Sequence, residues 1–346
     1  MERDATLSVI GAGAWGSALT IHLARQGERP RLWVYEAPLV ALITEKRENP
    51  WYLRGCPFPE NVSVTGSLSE AVLGSSLIIL APPSHAFRQI LQQMIPSLRP
   101  GATLLIATKG IEETPPHRMS AILSEMLPGE INAEVAVLSG PTFAKEVAVG
   151  QPAAAVVASS NLSLAELLQR RLSAPHFRLY TNRDVIGVEI GGAVKNVMAI
   201  ATGISDGLGL GENARAALIT RGLAEITRLG VRLGASPLTF SGLAGLGDLV
   251  LTCAGSLSRN RQLGLELASG KRVEDVLGET RSVVEGVRTT KSTLALAEQY
   301  QIPMPITEAV GAVLFHGLAP KAALSSLLHR DYRPEDEPVA FTSTQD

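Results

Sequence analysis

The chain has 346 residues, 45% of them hydrophobic, which is enough for a large core and for two domains. Its 31 Lys and Arg against 33 Asp and Glu leave a net charge of −2, with no basic block and no acidic tail; this argues against nucleic acid or an anionic membrane as partner. The two cysteines, Cys56 and Cys253, lack metal-ligand spacing, so no metal site and no disulfide framework are expected, and a reducing compartment fits.

No apolar run approaches the ~20 residues that a membrane span needs. Met1–Thr6 is polar and has no signal-peptide layout, so a cytoplasmic location is expected. Short β-rich runs alternate with helical patterns in the first half. Strands are predicted at Leu7–Ile10, Arg31–Tyr35, Leu77–Ala81, Thr103–Ala107, Val135–Leu138, Ala154–Ala158 and Phe177–Tyr180. Helices are predicted between them, as at Ala14–Gln26, Ala86–Leu98 and Pro116–Leu127. This alternation predicts an α/β fold with a Rossmann-type, mostly parallel sheet.

Gly11-Ala-Gly13-Ala14-Trp15-Gly16 follows the first strand and opens a helix. Gly11 suits a tight turn, Gly13 a close pyrophosphate and Gly16 close packing of helix on strand. The helix N-terminus adds free N–H groups for phosphate. Glu36, at the end of the second predicted strand, stands where a carboxylate accepts from the adenosine ribose hydroxyls. Ala81-Pro82-Pro83-Ser84 ends another strand and is either a cofactor wall or a simple Pro-made turn. Lys109-Gly110-Ile111 and Ser139-Gly140-Pro141-Thr142-Phe143-Ala144 also lie at carboxyl ends of strands.

The pattern changes near Val185, and no strand is predicted from there to His329. The domain border is expected between Thr181 and Glu189. That gives a dinucleotide-binding domain over 1–186, an all-α substrate-binding domain over 187–332 and a polar tail over 333–346. Lys195 lies among Gly191, Gly192, Ala193, Val194, Val197 and Met198, a segment almost free of other charge. Desolvation there would lower its pKa and make it an acid/base group near neutral pH. Glu212–Leu229 has helical spacing, with Arg221 and Glu225 four apart on its polar side. Asp248, in Gly245-Leu-Gly247-Asp248, either orients a lysine or caps a helix. Ser256-Leu-Ser258-Arg259-Asn260-Arg261 precedes a helix and is either an oxyanion or phosphate site or a capped surface helix. Further helices are predicted at Thr289–Tyr300, Ile306–Phe315 and Lys321–His329.

Taken together, these segments resemble bacterial NAD(P)-dependent glycerol-3-phosphate dehydrogenases. The matching pieces are Gly11–Gly16, Lys109-Gly-Ile, Ser139–Val147, Lys195-Asn196, Gly242–Leu249, Ser258-Arg-Asn260 and Val283-Val-Glu-Gly286, in the family's order. The resemblance implies interconversion of sn-glycerol 3-phosphate and dihydroxyacetone phosphate, supplying phospholipid synthesis, by an enzyme that is often a homodimer. It makes Lys195 the proton acceptor, with Lys109 and Asp248 beside it as catalytic candidates. It implies that Lys109, Gly140, Thr142, Lys195, Asp248, Ser258, Arg259 and Asn260 bind the phosphorylated three-carbon substrate. It also implies that Trp15, Lys109, Ala144, Arg259, Val283 and Glu285 line the cofactor, joining Gly11, Gly13, Ala14, Gly16, Glu36 and Pro83. The sequence departs from NADPH-using members after the second strand, where Tyr35-Glu36-Ala37-Pro38 carries no basic residue. Glu36 should repel a 2′-phosphate, so of NAD(H) and NADP(H) the former is favoured. Arg31, Lys46 and Arg47 are the nearby cations that could offset it.

Two other readings compete. β-Hydroxyacid dehydrogenases also join a Rossmann domain to helices with a catalytic lysine, but they resemble a pattern with Asn four residues after it. That position is Ala199 here, and Asn196 adjoins the lysine. A non-enzymatic NAD(H) sensor would need no acid/base lysine.

Overall fold

Chain order explains the first half directly. In a computed structural model describing residues 6–331 and 334–335, each apolar run becomes a strand and each intervening stretch a helix or turn. The elements run β1 (Leu7–Ile10), α1 (Ala14–Arg25), β2 (Pro30–Trp33), α2 (Ala37–Lys46), β3 (Glu48–Asn49), β4 (Leu53–Pro57), β5 (Ser63–Thr65), α3 (Leu68–Val72), β6 (Leu77–Leu80) and α4 (Phe87–Met94). They continue as β7 (Thr103–Ile106), α5 (Met119–Met126), β8 (Glu134–Ser139), α6 (Ala144–Val149), β9 (Ala153–Ala158), α7 (Leu162–Leu172) and β10 (Phe177–Asn182).

Eight strands form one sheet in the order β10-β9-β8-β7-β6-β1-β2-β5. All pairings in it are parallel except β8 with β9. Strands β1, β6 and β7 are buried at every residue, because helices cover both faces; that is why they read as unbroken apolar runs. The chain reverses direction of winding at β1, which pairs β2 on one side and β6 on the other. Ligands in such sheets sit beyond the carboxyl ends at this point. The predicted second strand runs two residues too long, since β2 stops at Trp33; Glu36 is the N-cap of α2 rather than a strand residue.

The second half holds α8 (Val185–Gly207), α9 (Gly211–Arg232), α10 (Pro237–Phe240), α11 (Asp248–Ala254), α12 (Arg259–Ala268), α13 (Val273–Gly278), α14 (Glu285–Gln299), α15 (Pro305–His316) and α16 (Pro320–Leu328). Among the described residues no strand follows β10. The expected border between 186 and 187 falls in the first turn of α8, and the expected tail lies outside the described residues apart from Pro334 and Glu335.

Every residue of α8 from Gly187 to Ser205 is buried, so this helix is the axis on which the others pack. It corrects the expectation that no segment approaches membrane-spanning length. Val185–Gly207 is long and apolar enough by composition, but it is a core helix. The stretch Pro237–Ala254 is also long and apolar enough, and is interrupted at Ser241–Gly242 before a π-helical turn at Leu243–Gly247. A second correction concerns Glu225. It is not paired with Arg221 on a polar face; it is 1% exposed and accepts from Ile306 N (2.6 Å), Thr307 N (3.2 Å) and Thr307 Oγ1 (3.0 Å). The reason is local, because α15 begins after Met304, which has no capping side chain, and a carboxylate from α9 fills that role.

Candidate active site

The turn after β1 is built for close approach. Gly11 has φ +111°, and a Cβ there would stand 2.8 Å from the Ala81 carbonyl. At Gly16 a Cβ would overlap the Gly11 carbonyl, so the first turn of α1 folds tightly onto the strand end. Gly13 faces open space: a Cβ would meet nothing within 4 Å, and α1 has no side-chain cap. Ala14 opens α1, and the buried Trp15 Nε1 has no hydrogen-bond partner among the described residues. Uncapped N–H groups, clear space and an orphaned indole donor fit the pyrophosphate of a nicotinamide dinucleotide.

Glu36 accepts a 2.7 Å hydrogen bond at Oε1 from Tyr52 Oη, a residue that sequence reasoning missed. Burial, reinforced by the Glu36 carboxylate, pushes the Tyr52 phenol up to about 12, so it remains a donor. No signal marks Tyr52 in the sequence, since it lies in an irregular segment between β3 and β4. Two of the nearby cations proposed to offset Glu36 are committed elsewhere. Arg31 donates to the carbonyls of Glu70, Ala71 and Leu73, and Arg47 to those of Pro59 and Val62. After β6, Pro83 caps a short 3-10 turn whose Ser84 N and Oγ donate to Glu285 at 3.0 and 2.5 Å. Glu285 begins α14, so this contact joins the two halves of the chain at the strand end.

The candidate acid/base residues converge. Lys195 on α8 is 6% exposed and donates to Asp248 Oδ1. Lys109, after β7, donates to Asp248 Oδ2 at 2.9 Å, to Gly140 O at 2.8 Å and to Thr142 Oγ1 at 3.3 Å. Asp248, 1% exposed, is the first residue of α11. Its carboxylate bridges two lysines; Gly247, not Asp248, is the N-cap. Burial pulls the Lys195 ammonium down to about 7, and the Lys109 charge acts the same way while Asp248 opposes both. Ser139 Oγ, at the end of β8, is buried without a hydrogen-bond partner among the described residues, beside Gly192 of α8.

Helix α12 brings the remaining candidates alongside. It crosses α8 where Gly203 and Gly264 let the backbones touch; a Cβ on Gly264 would lie 2.3 Å from the Ile200 carbonyl. Ser258 is the N-cap and accepts from Arg261 N. Asn260 donates to Asn196 Oδ1 and accepts from Gly286 N, both at 2.9 Å, which ties α12 to the residue beside Lys195. Arg259 is exposed, with Nη1 donating to Val283 O at 2.9 Å. The capped-helix reading of this segment is what the geometry shows, and a guanidinium stands at the helix start. Ala144 opens α6 after β8, next to Thr142.

Comparisons with known proteins agree with this geometry. Residues 6–165 match the NAD-dependent glycerol-3-phosphate dehydrogenase N-terminus, and residues 184–325 its C-terminus. The chain is 50% identical over 329 residues to a glycerol-3-phosphate dehydrogenase [NAD(P)+] of Geobacter metallireducens, covering 95% of this chain and 98% of that one. A relative of the same description from Geobacter sulfurreducens gives the same figures. A crystal structure of glycerol-3-phosphate dehydrogenase from Coxiella burnetii superposes with a TM-score of 0.91 at 40% identity, covering 95% of this chain and all of that one. The chain belongs to the NAD-dependent glycerol-3-phosphate dehydrogenase family, NAD(P)-dependent oxidoreductases with a Rossmann-type sheet and a helical C-terminal half.

Proposed function

We propose that the chain interconverts sn-glycerol 3-phosphate and dihydroxyacetone phosphate with Lys195 as the acid and base, supplying glycerophospholipid synthesis. The observation that carries this reading is the buried Lys195–Asp248–Lys109 cluster beside the carboxyl ends of β7 and β8. The nicotinamide, when bound, takes up or supplies the hydride. In oxidation, neutral Lys195 Nζ takes the proton of the secondary hydroxyl; in reduction, its ammonium protonates the developing alkoxide. Asp248 holds both lysine amines in place. Lys109, Gly140 and Thr142 hold the substrate's reacting end. Arg259, with Ser258 and Asn260 at the start of α12, holds its phosphate, so remote binding energy orients the reacting carbon.

Gly11, Gly13, Ala14, Trp15 and Gly16 cradle the pyrophosphate; Pro83, Ala144, Val283 and Glu285 line the rest, with Lys109 and Arg259 bordering cofactor and substrate. Glu36 accepts from the adenosine ribose and favours NAD(H) over NADP(H). The dinucleotide-binding domain spans 1–186 and the substrate domain 187–332. The chain works as a homodimer in the cytoplasm, where the free, buried Cys56 and Cys253 stay reduced.

The deciding experiment is Lys195→Ala. General acid–base groups contribute about 10²–10⁴-fold, so kcat should fall by that factor while NADH still binds, as read by its fluorescence. A folded variant with near-normal kcat would remove Lys195 from the chemistry.

A further inference from the structure

Residues 281–286, which lead into α14, run along the line expected of the dinucleotide. Gly286 N is fixed on Asn260. Glu285 holds Ser84 beyond β6, and the Val283 carbonyl accepts from Arg259. At the other end, the Arg281 guanidinium stacks on Trp51, with Cζ 4.5 Å from the ring centroid. Trp51 is followed by Tyr52, which donates to Glu36 past the end of β2. Since β6, β1 and β2 are consecutive in the sheet, the segment crosses from the β6 end to the β2 end.

We propose that Arg281 is a cofactor-specificity residue: from the helical half it supplies the positive charge that lets the adenosine end take a 2′-phosphate beside Glu36. The inference rests on the reading of Glu36 as the ribose acceptor. The guanidinium is exposed and forms no ion pair among the described residues, so its charge is uncommitted. Its contact with the indole is a cation–π one, and among the described residues its N–H groups donate to no acceptor, which leaves them for an oxygen ligand. Its field reaches the Tyr52 phenol, where it opposes the upward push of Glu36. Arg31 and Arg47, nearer in sequence, are held on backbone carbonyls. A dianionic phosphate next to the Glu36 carboxylate would meet like charge; a planar guanidinium beside it forms charge-assisted hydrogen bonds instead.

The test measures kcat/KM for NADPH and for NADH, at fixed dihydroxyacetone phosphate, in the wild type, Arg281→Ala and Arg281→Lys. Loss of one charge-assisted contact should lower the NADPH value roughly tenfold or more, with NADH changed less than about threefold and Lys retaining most of the NADPH rate. An unchanged NADPH/NADH ratio, or an equal fall with both cofactors, overturns the proposal. Repeating the pair in a Glu36→Gln background separates the two readings. If Glu36 does not face the ribose, that substitution leaves the ratio unmoved while Arg281→Ala still lowers it. If Arg281 is not the cation, Arg281→Ala leaves the ratio unmoved in either background.

Discussion

At the scale of single residues, the proposed chemistry rests on three charged groups, Lys195, Asp248 and Lys109, joined in one cluster. Desolvation is the largest influence on Lys195 and favours the neutral amine; Lys109 adds to it, and Asp248 opposes it, with a result of about 7. The signs give two predictions of opposite direction. With Lys195 as the proposed base, glycerol 3-phosphate oxidation draws on its neutral form, so kcat/KM should rise as pH increases through the Lys195 pKa. Asp248→Asn removes the anion that favours the ammonium, lowers that pKa further and moves the rising limb to lower pH. Lys109→Met removes a like charge, raises the pKa and moves the limb to higher pH. Both variants also slow the reaction, because each loses a contact in the cluster, but the position of the limb is independent of its height. Profiles of kcat/KM against pH for the three enzymes check this; limbs that do not move would show that another group titrates.

At the scale of elements, α12 matters for what its first turn presents. Its cap and its ties to α8 fix the start of the helix, and Arg259 is its first exposed side chain. Arg259→Ala should therefore cost about 1.5–3 kcal/mol in binding the substrate phosphate, with little change in the protein's stability. The measurement compares glycerol 3-phosphate with unphosphorylated glycerol; a variant that keeps the wild-type preference between them has its phosphate clamp elsewhere. The same helix shows what sequence can convey. Ser258 was legible as a cap because a serine just before a helical pattern marks a helix start; the anion site proposed for the same turn draws on the same N–H groups. The sheet strands β1, β2 and β6 to β9 were legible because they are largely apolar runs bounded by Gly, Pro or polar residues, and β10 because buried and exposed residues alternate along it. Strands β3 to β5 were not, since Glu48–Asn49 is two residues long and Leu53–Pro57 contains Gly and Pro without alternation. Periodicity placed α9 correctly but misassigned Glu225, because the uncapped start of α15 that it serves lies about eighty residues away. Asp248 stayed ambiguous for the same reason: its partners, Lys195 and Lys109, are 53 and 139 residues distant.

At the scale of the whole molecule, the site is assembled from both halves of the chain. Glu285 holds Ser84, Glu189 holds Arg118 and Ser120 at the start of α5, and Asp248 holds Lys109, each contact pairing the helical half with the sheet-bearing half. On the proposed roles of Glu36 and Arg281, cofactor choice draws on both halves and not on the second strand alone. Glu36 comes from the sheet side and carries the charge proposed to disfavour a 2′-phosphate, while its Oε1 accepts from Tyr52. The cleanest perturbation is Glu36→Gln, which removes the charge yet keeps an oxygen for the phenol. We predict that the native enzyme has the higher kcat/KM with NADH than with NADPH. Glu36→Gln should move the ratio toward NADPH by about tenfold, the effect of relieving roughly 1.4 kcal/mol of like-charge repulsion. The loss of one ribose contact should lower the NADH value at the same time, so the two cofactors change in opposite directions. Competition by AMP and by adenosine 2′,5′-bisphosphate isolates the adenosine end from the chemistry. A native preference for NADPH refutes the assignment of Glu36 as the dominant charge, and a ratio that the substitution leaves unmoved removes Glu36 from the discrimination altogether.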